Sequence, residues 1–417
     1  MRLLHTADLH LGKLLEGRQR YDEQQQVLDE ITDIAEKEDT DLVLISGDIF
    51  DTYNPSAQAQ ELFFVFLHKI SAKGLRPVIV SAGNHDQPQR LSAAGPLALT
   101  QNIYLIGQPG EDLSDHIIQE NPYFISYQDN CLRIRLPKTG EEVAVLALPY
   151  ISEARLNEIF LHDISDDQAQ KSDYQQRLQQ LLEKGSRQFS HINIIMAHLS
   201  LCGGQTSQSE RPLGISLVND DENAEAVMIG GSFGISPQIF PCQAQYIALG
   251  HLHRPQSVGQ QPTCYYAGSP LAYSFSEAGQ SKSVVIADLE AGQPAQVKRV
   301  ALTSGYALHK FEAQNYDEAL AWCSDENNHQ LWVSLAIKTD KPLSMDDISR
   351  LRKAHPRILD ILPIFPQLCQ EQKPFKLEDL SIEEKFRIFA AIKEGVEPEP
   401  ELIAMFMDLL SDEEEQI

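Results

Sequence analysis

Five short clusters in this sequence combine aspartate, asparagine and histidine, and each follows an apolar run. The clusters are Asp8-Leu-His10, Gly47-Asp48-Ile-Phe-Asp51, Gly83-Asn84-His85-Asp86, His198 and Gly250-His251-Leu-His253. In an extended chain residues i and i+2 face the same way, so Asp8 and His10 can bind one ion together. Carboxylate, imidazole and amide ligands favour Mn²⁺, Fe²⁺ or Zn²⁺ over Ca²⁺. The clusters therefore predict a site for divalent transition metals.

Seven side chains of these clusters are candidate metal ligands, which is enough for two ions. They are Asp8, His10, Asp48, Asn84, His198, His251 and His253. A single cluster is better explained as a turn, because Gly-Asp and Gly-Asn pairs are common turn sequences. The metal hypothesis depends on the recurrence of such clusters after five apolar runs. His5 lies inside the first run and is predicted to be a packed core residue.

The elements around the clusters predict an α/β fold. RLLHTA, DLVLISGD, RPVIVSAGN and NIYLIG are typical of buried strands, and residues 21–37 and 57–71 of amphipathic helices between them. Shorter runs from residue 121 indicate antiparallel or mixed strands. A polar helix is expected at 166–185, and HINIIMAHLS and QYIALGHLH are expected to be further buried strands. Because ligands gather at the carboxyl ends of strands in such sheets, we expect the five clusters on one rim.

Composition divides the chain into three segments, 1–290, 291–373 and 374–417. The second contains LWVSLAIKTD, a helix near 345–354 and RILDILPIF, which together predict a small βαβ module. The third contains two amphipathic helices and an acidic tail. No apolar run reaches the roughly 18–20 residues that a bilayer span needs, and Asp8 and His10 interrupt the first run too early for a signal peptide. We therefore expect a cytoplasmic protein without a membrane segment.

Charge and cysteine content restrict the function classes. The formal net charge of −26 argues against a strongly basic nucleic-acid-binding surface, unless bound cations or a basic partner supply positive charge. The six cysteines form no C-x-x-C pair, so we expect reduced thiols rather than zinc ligands or disulfides.

The order of the five clusters resembles the calcineurin-like metallophosphoesterases. HTADLHLGK, SGDIFDTYNPS, SAGNHDQPQR, AHLSLCGGQTSQSER and YYAGSPLAYSF are similar to the bacterial SbcD branch of nuclease subunits. The resemblance implies a four-layer sandwich for residues 1–290, with two mixed sheets between helices. It also implies a small α+β capping domain that binds DNA at 291–373, and helices that bind a partner at 374–417.

The resemblance implies a role for each ligand. Asp8, His10 and His253 would hold one ion. Asn84, His198 and His251 would hold the other, with Asp48 as the bridge. Mn²⁺ is the expected metal, with Mg²⁺, Fe²⁺ or Zn²⁺ as alternatives.

His85 and Asp86 are the predicted catalytic pair. His85 would contact the phosphate and protonate the leaving oxygen, and Asp86 would orient His85. Archaeal relatives have a second catalytic histidine where this chain has Asp51. Its role stays open between orienting Asp48 and orienting the loop.

By resemblance the chain would cut DNA as a repair nuclease, as a 3′→5′ exonuclease on duplexes and an endonuclease on single strands or hairpins. Its partner would be an SbcC-like coiled-coil ATPase that docks on the C-terminal helices, and it would form a homodimer within a heterotetramer. The sequence has no G-x-x-x-x-G-K-[ST], so ATP dependence would come from that partner. Arg18, Arg20 and Arg90 follow rim clusters and are candidate contacts to DNA phosphates.

Two other functions compete with this one. A phosphatase or cyclic-nucleotide diesterase would use the same metals on small substrates but would not need the segments after residue 290. A scaffold that tethers DNA ends to the ATPase would not need the complete ligand set or His85, so both features count against it.

Overall fold

Two β-sheets that pack face to face position the predicted clusters. The computed structural model describes residues 1–111, 113, 121–151, 167–210, 235–259, 264–365 and 403. The strands of this described part, numbered in chain order, are Arg2–Thr6 (β1), Leu42–Ser46 (β2), Val78–Ser81 (β3), Ile103–Ile106 (β4), Phe124–Gln128 (β5), Cys131–Arg135 (β6), Glu142–Leu148 (β7), Ile192–His198 (β8), Tyr246–Gly250 (β9), Gln256–Val258 (β10), Cys264–Tyr266 (β11), Ser283–Asp288 (β12), Gln296–Ala301 (β13), Ala307–Ala313 (β14), Leu331–Lys338 (β15) and Ile358–Ile364 (β16).

The first sheet has the order β13-β12-β1-β2-β3-β4, and the second has the order β10-β11-β9-β8-β7-β6-β5. Both sheets are mixed: β1 to β4 run parallel, whereas β12 pairs antiparallel to β1. In the second sheet β7, β8 and β9 are parallel, and β5 and β6 are antiparallel to their neighbours. Parallel neighbours end at the same edge, so the loops after them can meet.

Helices cover the outer faces of both sheets. The described helices are Tyr21–Lys37 (α1), Ala57–Ile70 (α2), Pro88–Ser92 (α3), Gly95–Ala98 (α4), Asp167–Ser186 (α5), Tyr316–Ser324 (α6) and Met345–Ala354 (α7). The period-2 alternation of the strands divides the core: Leu3 packs between the sheets, whereas Leu4 packs under α1 and α2. In the second sheet Ile194 faces the first sheet, and Ile195 packs against α5. The predicted four-layer sandwich is confirmed.

A separate three-stranded parallel sheet, with the order β14-β15-β16, follows the sandwich. The predicted strands β15 and β16 and the helix α7 are present, and α7 begins with a capping box formed by Ser344 and Asp347. The structure adds β14 and α6, so the module is βαβαβ rather than βαβ. Strand β13 belongs to the first sheet, which therefore continues beyond residue 290.

Several sequence-based predictions fall outside the described residues. The helices and acidic tail expected within 374–417 are among them, apart from Ile403. Within the described part of the chain, no helix combines the length and the apolar character needed to cross a membrane. His5 is fully buried, and its Nδ1 lies 2.9 Å from the Tyr246 hydroxyl, which confirms it as a core residue.

Candidate metal centre

The seven predicted ligands converge at one rim of the two sheets. Within the first sheet, the Asp8 amide donates to the Gly47 carbonyl and the His10 amide to the Asp48 carbonyl, both at 3.0 Å. Between the sheets, the His251 amide donates to Asp8 Oδ1 at 2.8 Å. The loops after β1, β2 and β9 are therefore joined by hydrogen bonds that involve the ligands themselves.

Four of the seven ligands have positive φ angles: Asp8 at 54°, His10 at 43°, Asp48 at 49° and His251 at 100°. Only a few per cent of non-glycine residues adopt such angles, since the Cβ atom crowds the backbone. Strained backbone of this kind persists where the surrounding structure enforces it, and it concentrates at functional sites. The strain here turns the side chains toward a common point.

Asp48 occupies the middle of the site. Its Oδ2 lies 3.6 Å from His10 Nε2 and 3.5 Å from His198 Nε2. Ligand atoms of Asp8, Asp48 and His198 all lie within 4.8 Å of one another, and so do those of His10, Asp48 and His85. Asp48 belongs to both groups, so its carboxylate could contact an ion in each of them.

The remaining ligands pair across the site. Asn84 Oδ1 lies 3.0 Å from His198 Nε2 and 3.2 Å from His251 Nδ1. His10 Nε2 and His253 Nε2 lie 3.0 Å apart. These pairs of potential ligand atoms are close enough to contact a common ion, and imidazole and amide groups are ligands that divalent transition metals accept.

Backbone carbonyls fix the proton positions of two imidazoles. His198 Nδ1 lies 2.9 Å from the Ser46 carbonyl, and His85 Nδ1 lies 2.9 Å from the Asp51 carbonyl. A carbonyl oxygen only accepts, so each Nδ1 carries the proton, and in the neutral imidazole Nε2 carries the lone pair. His198 can therefore bind a metal through Nε2, and His85 can exchange a proton only through Nε2.

The buried carboxylates create a field that attracts positive charge. Burial raises the pKa of Asp8 to about 7, and Asp8 Oδ2 has no hydrogen-bond partner. Burial disfavours the His198 cation, but Asp48 and Asp8 outweigh that effect and raise the pKa of His198 to about 9. An unpaired carboxylate oxygen, lone-pair nitrogens and an attractive field are what a divalent cation requires, so the residues present fit divalent metal ions.

Small residues make this convergence sterically possible. A Cβ atom at Gly83 would overlap the backbone nitrogen and carboxylate of Asp48, and one at Gly250 would overlap the Ser46 carbonyl and crowd His198. The glycines that precede Asn84 and His251 therefore let the loops approach to ligand distance.

Asp86 contacts backbone amides rather than the His85 ring, and of the two roles left open for Asp51 its contacts favour orienting the loop. The buried Asp86 carboxylate accepts from the Ile49, Phe50 and Gly83 amides at 2.8–3.0 Å, so it fixes two loops rather than bonding the His85 ring. Asp51 supplies the carbonyl that holds His85, whereas its carboxylate accepts from Lys13 at 3.0 Å and lies 3.5 Å from His10 Nδ1. Its carboxylate is thus beside His10 rather than Asp48.

The three arginines proposed as DNA contacts have different environments. Arg20 is 3% exposed, and its guanidinium donates to the Glu23 carboxylate at 2.9 and 2.7 Å. Its guanidinium is occupied by this ion pair, so the prediction for Arg20 has no support in the structure. Arg90 is exposed and donates to Gln87 and Asn54, and Arg18 is exposed on the loop before α1.

Sequence reasoning missed a second layer of residues around the imidazoles. The Tyr273 ring packs edge-on to His10 and His253, and its hydroxyl donates to the Leu9 carbonyl. Ser209 Oγ lies 2.8 Å from His253 Nδ1. Both belong to quoted motifs, YYAGSPLAYSF and AHLSLCGGQTSQSER, but neither motif shows by itself which side chain reaches a ligand.

Comparison with known proteins agrees with this geometry. The calcineurin-like phosphoesterase family model matches residues 1–255. The SbcD subunit of the SbcCD nuclease from Bacillus subtilis is 39% identical over 421 residues, covering 100% of this chain and 99% of that protein. The proteins of the same name from Staphylococcus epidermidis and Rhodobacter capsulatus are 30% and 31% identical, covering 86% and 70% of this chain and 84% and 67% of theirs. This chain therefore belongs to the calcineurin-like phosphoesterase family, in the group of SbcD nuclease subunits.

Proposed function

We propose that this chain is the nuclease subunit of a DNA repair complex and hydrolyses phosphodiester bonds with two divalent metal ions, Mn²⁺ being preferred. The carrying observation is the position of Asp48 between His10 and His198, at the centre of a buried ligand set. The similarity to SbcD nuclease subunits over the whole chain supports DNA as the substrate. Cytoplasmic placement and cutting of duplex ends, single strands and hairpins are part of this proposal.

Each residue has a task in the proposed mechanism. Asp8, His10 and His253 hold one ion, and Asn84, His198 and His251 hold the other. When bound, the ions supply Lewis-acid chemistry, activating water and neutralising charge on the phosphoryl oxygens. His85 donates a proton from Nε2 to the leaving oxygen, because the Asp51 carbonyl holds Nδ1. Asp86 keeps the His85 loop in place through its three backbone contacts.

The test compares wild type with His85→Gln, measuring Mn²⁺-dependent nucleotide release from duplex DNA by the chain alone and with its ATPase partner. We expect the substitution to lower the rate at least 10²-fold while the protein still binds two ions. His68→Gln is the matched control, since His68 lies on α2 and bonds Gln101. Rapid hydrolysis of a small phosphodiester without DNA cutting would instead indicate a small-substrate phosphoesterase.

The partner proposal concerns residues 374–417, whose apolar helical patterns FRIFAAI and LIAMFMDLL suit docking to a coiled-coil ATPase. Deleting 374–417 should abolish co-purification with the ATPase and leave Mn²⁺ binding unchanged. Exposed Phe64, Val65 and Leu97 on and near α2 support the proposed homodimer. Their replacement by Ser should yield monomers in analytical ultracentrifugation.

A further inference from the structure

A buried polar chain behind His253 has no role in the mechanism above. Glu277 is 1% exposed and accepts from Ser209 Oγ at 2.6 Å and from Lys282 Nζ at 2.5 Å. Ser209 Oγ in turn lies 2.8 Å from His253 Nδ1. Two distant segments of the sequence, around Ser209 and around residues 277–282, therefore meet behind one candidate metal ligand.

The protons of this chain can be assigned by counting donors. Lys282 is 7% exposed and also donates to the His253 carbonyl and Ser269 Oγ, so Glu277 is the charged partner that this buried ammonium requires. An ionised carboxylate only accepts, so the Ser209 hydroxyl proton points to Glu277. Ser209 can then only accept from His253, which places a proton on His253 Nδ1.

The opposite assignment leaves an unfavourable contact. If Ser209 donated to His253 Nδ1, the oxygens of Ser209 and Glu277 would face each other at 2.6 Å without a proton between them. Such a buried pair of acceptors costs more than the alternative, in which every donor has an acceptor. With the proton on Nδ1, the Nε2 atom of His253 carries a lone pair. This atom lies 3.0 Å from His10 Nε2, the other candidate ligand of the same ion.

We infer that Ser209 and Glu277 are positioning residues that fix the His253 imidazole for metal binding, through a Glu277–Ser209–His253 relay. The inference rests on the proposed metal centre. It assigns a role to residues in or next to two of the quoted motifs. Ser209 belongs to AHLSLCGGQTSQSER, and Glu277 lies two residues after YYAGSPLAYSF. Ligand orientation by such outer groups commonly changes metal affinity 10–100-fold.

The test measures binding of Mn²⁺ and Co²⁺ by titration calorimetry and the visible spectrum of the Co²⁺ form, using the full chain. For Ser209→Ala we expect the affinity for one of the two ions to fall 10–100-fold, with a shifted Co²⁺ spectrum, while the metal-free protein still unfolds cooperatively. Ser209→Thr keeps the hydroxyl and should restore both. Ser274→Ala is the control. It removes a hydroxyl that lies 3.5 Å from Glu277 and is not part of the relay to His253, so this variant should resemble wild type.

A double variant of Ser209 and Glu277 gives a second test, with metal affinity as the measured quantity. Glu277→Gln should weaken the same ion, and the double variant with Ser209→Ala should be no weaker than the more affected single variant, because both remove one relay. Wild-type affinity in Ser209→Ala would overturn the relay while leaving the metal centre intact. Equal weakening of both ions would also overturn it, in favour of a structural role. Failure of wild type to bind two ions would overturn the proposed function itself.

Discussion

The metal centre and the β14–β16 module differ in the burial of their charged side chains. At the centre, carboxylates and imidazoles are buried to 3% exposure or less, as in Asp8, Asp48 and His198. In the module, the ion pairs Lys338–Glu312 and Arg350–Asp346 have side chains 45–71% exposed. Exposed pairs contribute little to stability, whereas buried charges persist only with compensation. Much of the −26 net charge can therefore serve solubility, while a few buried acids serve chemistry.

One buried acid connects the two regions. Glu23 on α1 accepts from Trp332 Nε1 of β15 at 2.9 Å and from the Tyr306 amide at 2.8 Å. Burial opposes its charge, but the Arg20 ion pair outweighs burial and lowers the pKa of Glu23. Arg20 also donates to the Ala272 carbonyl, next to Tyr273, which packs on His10. The module is thus joined to the metal ligands through three side chains.

The largest expected effect is a loss of stability caused by a substitution in the core of the β14–β16 module. Leu335 is fully buried there, so Leu335→Ala should lower the free energy of unfolding by about 2–5 kcal/mol through lost burial and a cavity. Mn²⁺ stoichiometry should stay at two ions in native buffer. Leu362→Ala, at a position 50% exposed on β16, is the control and should change stability by about 0.5 kcal/mol or less. Loss of metal from Leu335→Ala would show that damage to the module core reaches the metal ligands through the contacts of Glu23 and Arg20.

Gly83→Ala tests how closely the loops of the metal centre are packed. The new methyl group would overlap Asp48, so we expect a cost of about 3 kcal/mol, at the upper end for overpacking, together with loss of bound Mn²⁺. Gly95→Ala is matched to it, because a Cβ there meets nothing within 4 Å. Denaturant unfolding and metal analysis measure both variants. Two bound ions in Gly83→Ala would mean that the loops adapt more freely than the packing indicates.

The difference between the regions also explains what could be read from sequence. The seven candidate ligands follow buried strands closely, so local patterns predicted that they would meet on one rim, and also predicted the bounds of α1 and α7. Strand β14 was missed because buried and exposed residues do not alternate along it. Only Leu308 and Ala313 of this strand are buried. The pairing of β12 with β1 joins residues 2 and 288, which no local pattern shows.

Side-chain partners at the site were the least predictable feature. Arg20 resembles a surface arginine in sequence, yet Glu23 and the Ala272 carbonyl occupy it. Asp86 follows His85 directly but bonds backbone amides of another loop. Tertiary packing decides these contacts, so residue type and spacing could place the groups on the rim without assigning their hydrogen bonds.

A smaller effect is expected where the regions meet. Trp332→Phe removes the hydrogen bond to Glu23 and should cost about 1.5 kcal/mol, the lower value for a bond to a charged group. In a Glu23→Gln background the same substitution should cost less, because the charged acceptor is already gone. A double-mutant cycle by denaturant unfolding measures the difference. Equal costs in both backgrounds would show that Trp332 acts by packing alone.

The smallest effect concerns the exposed pair Arg350–Asp346 on α7, spaced i,i+4 with its atoms 2.8 Å apart. Asp346→Asn should cost about 0.3–0.5 kcal/mol, and 1 M salt should remove the difference, since the Debye length there is about 3 Å. Urea unfolding at low and high salt measures both values. A cost above about 1 kcal/mol that survives 1 M salt would mean that exposed charges also stabilise the module. Charged groups would then contribute to stability in both regions, and the two regions would differ only in that the buried charges of the metal centre can bind metal.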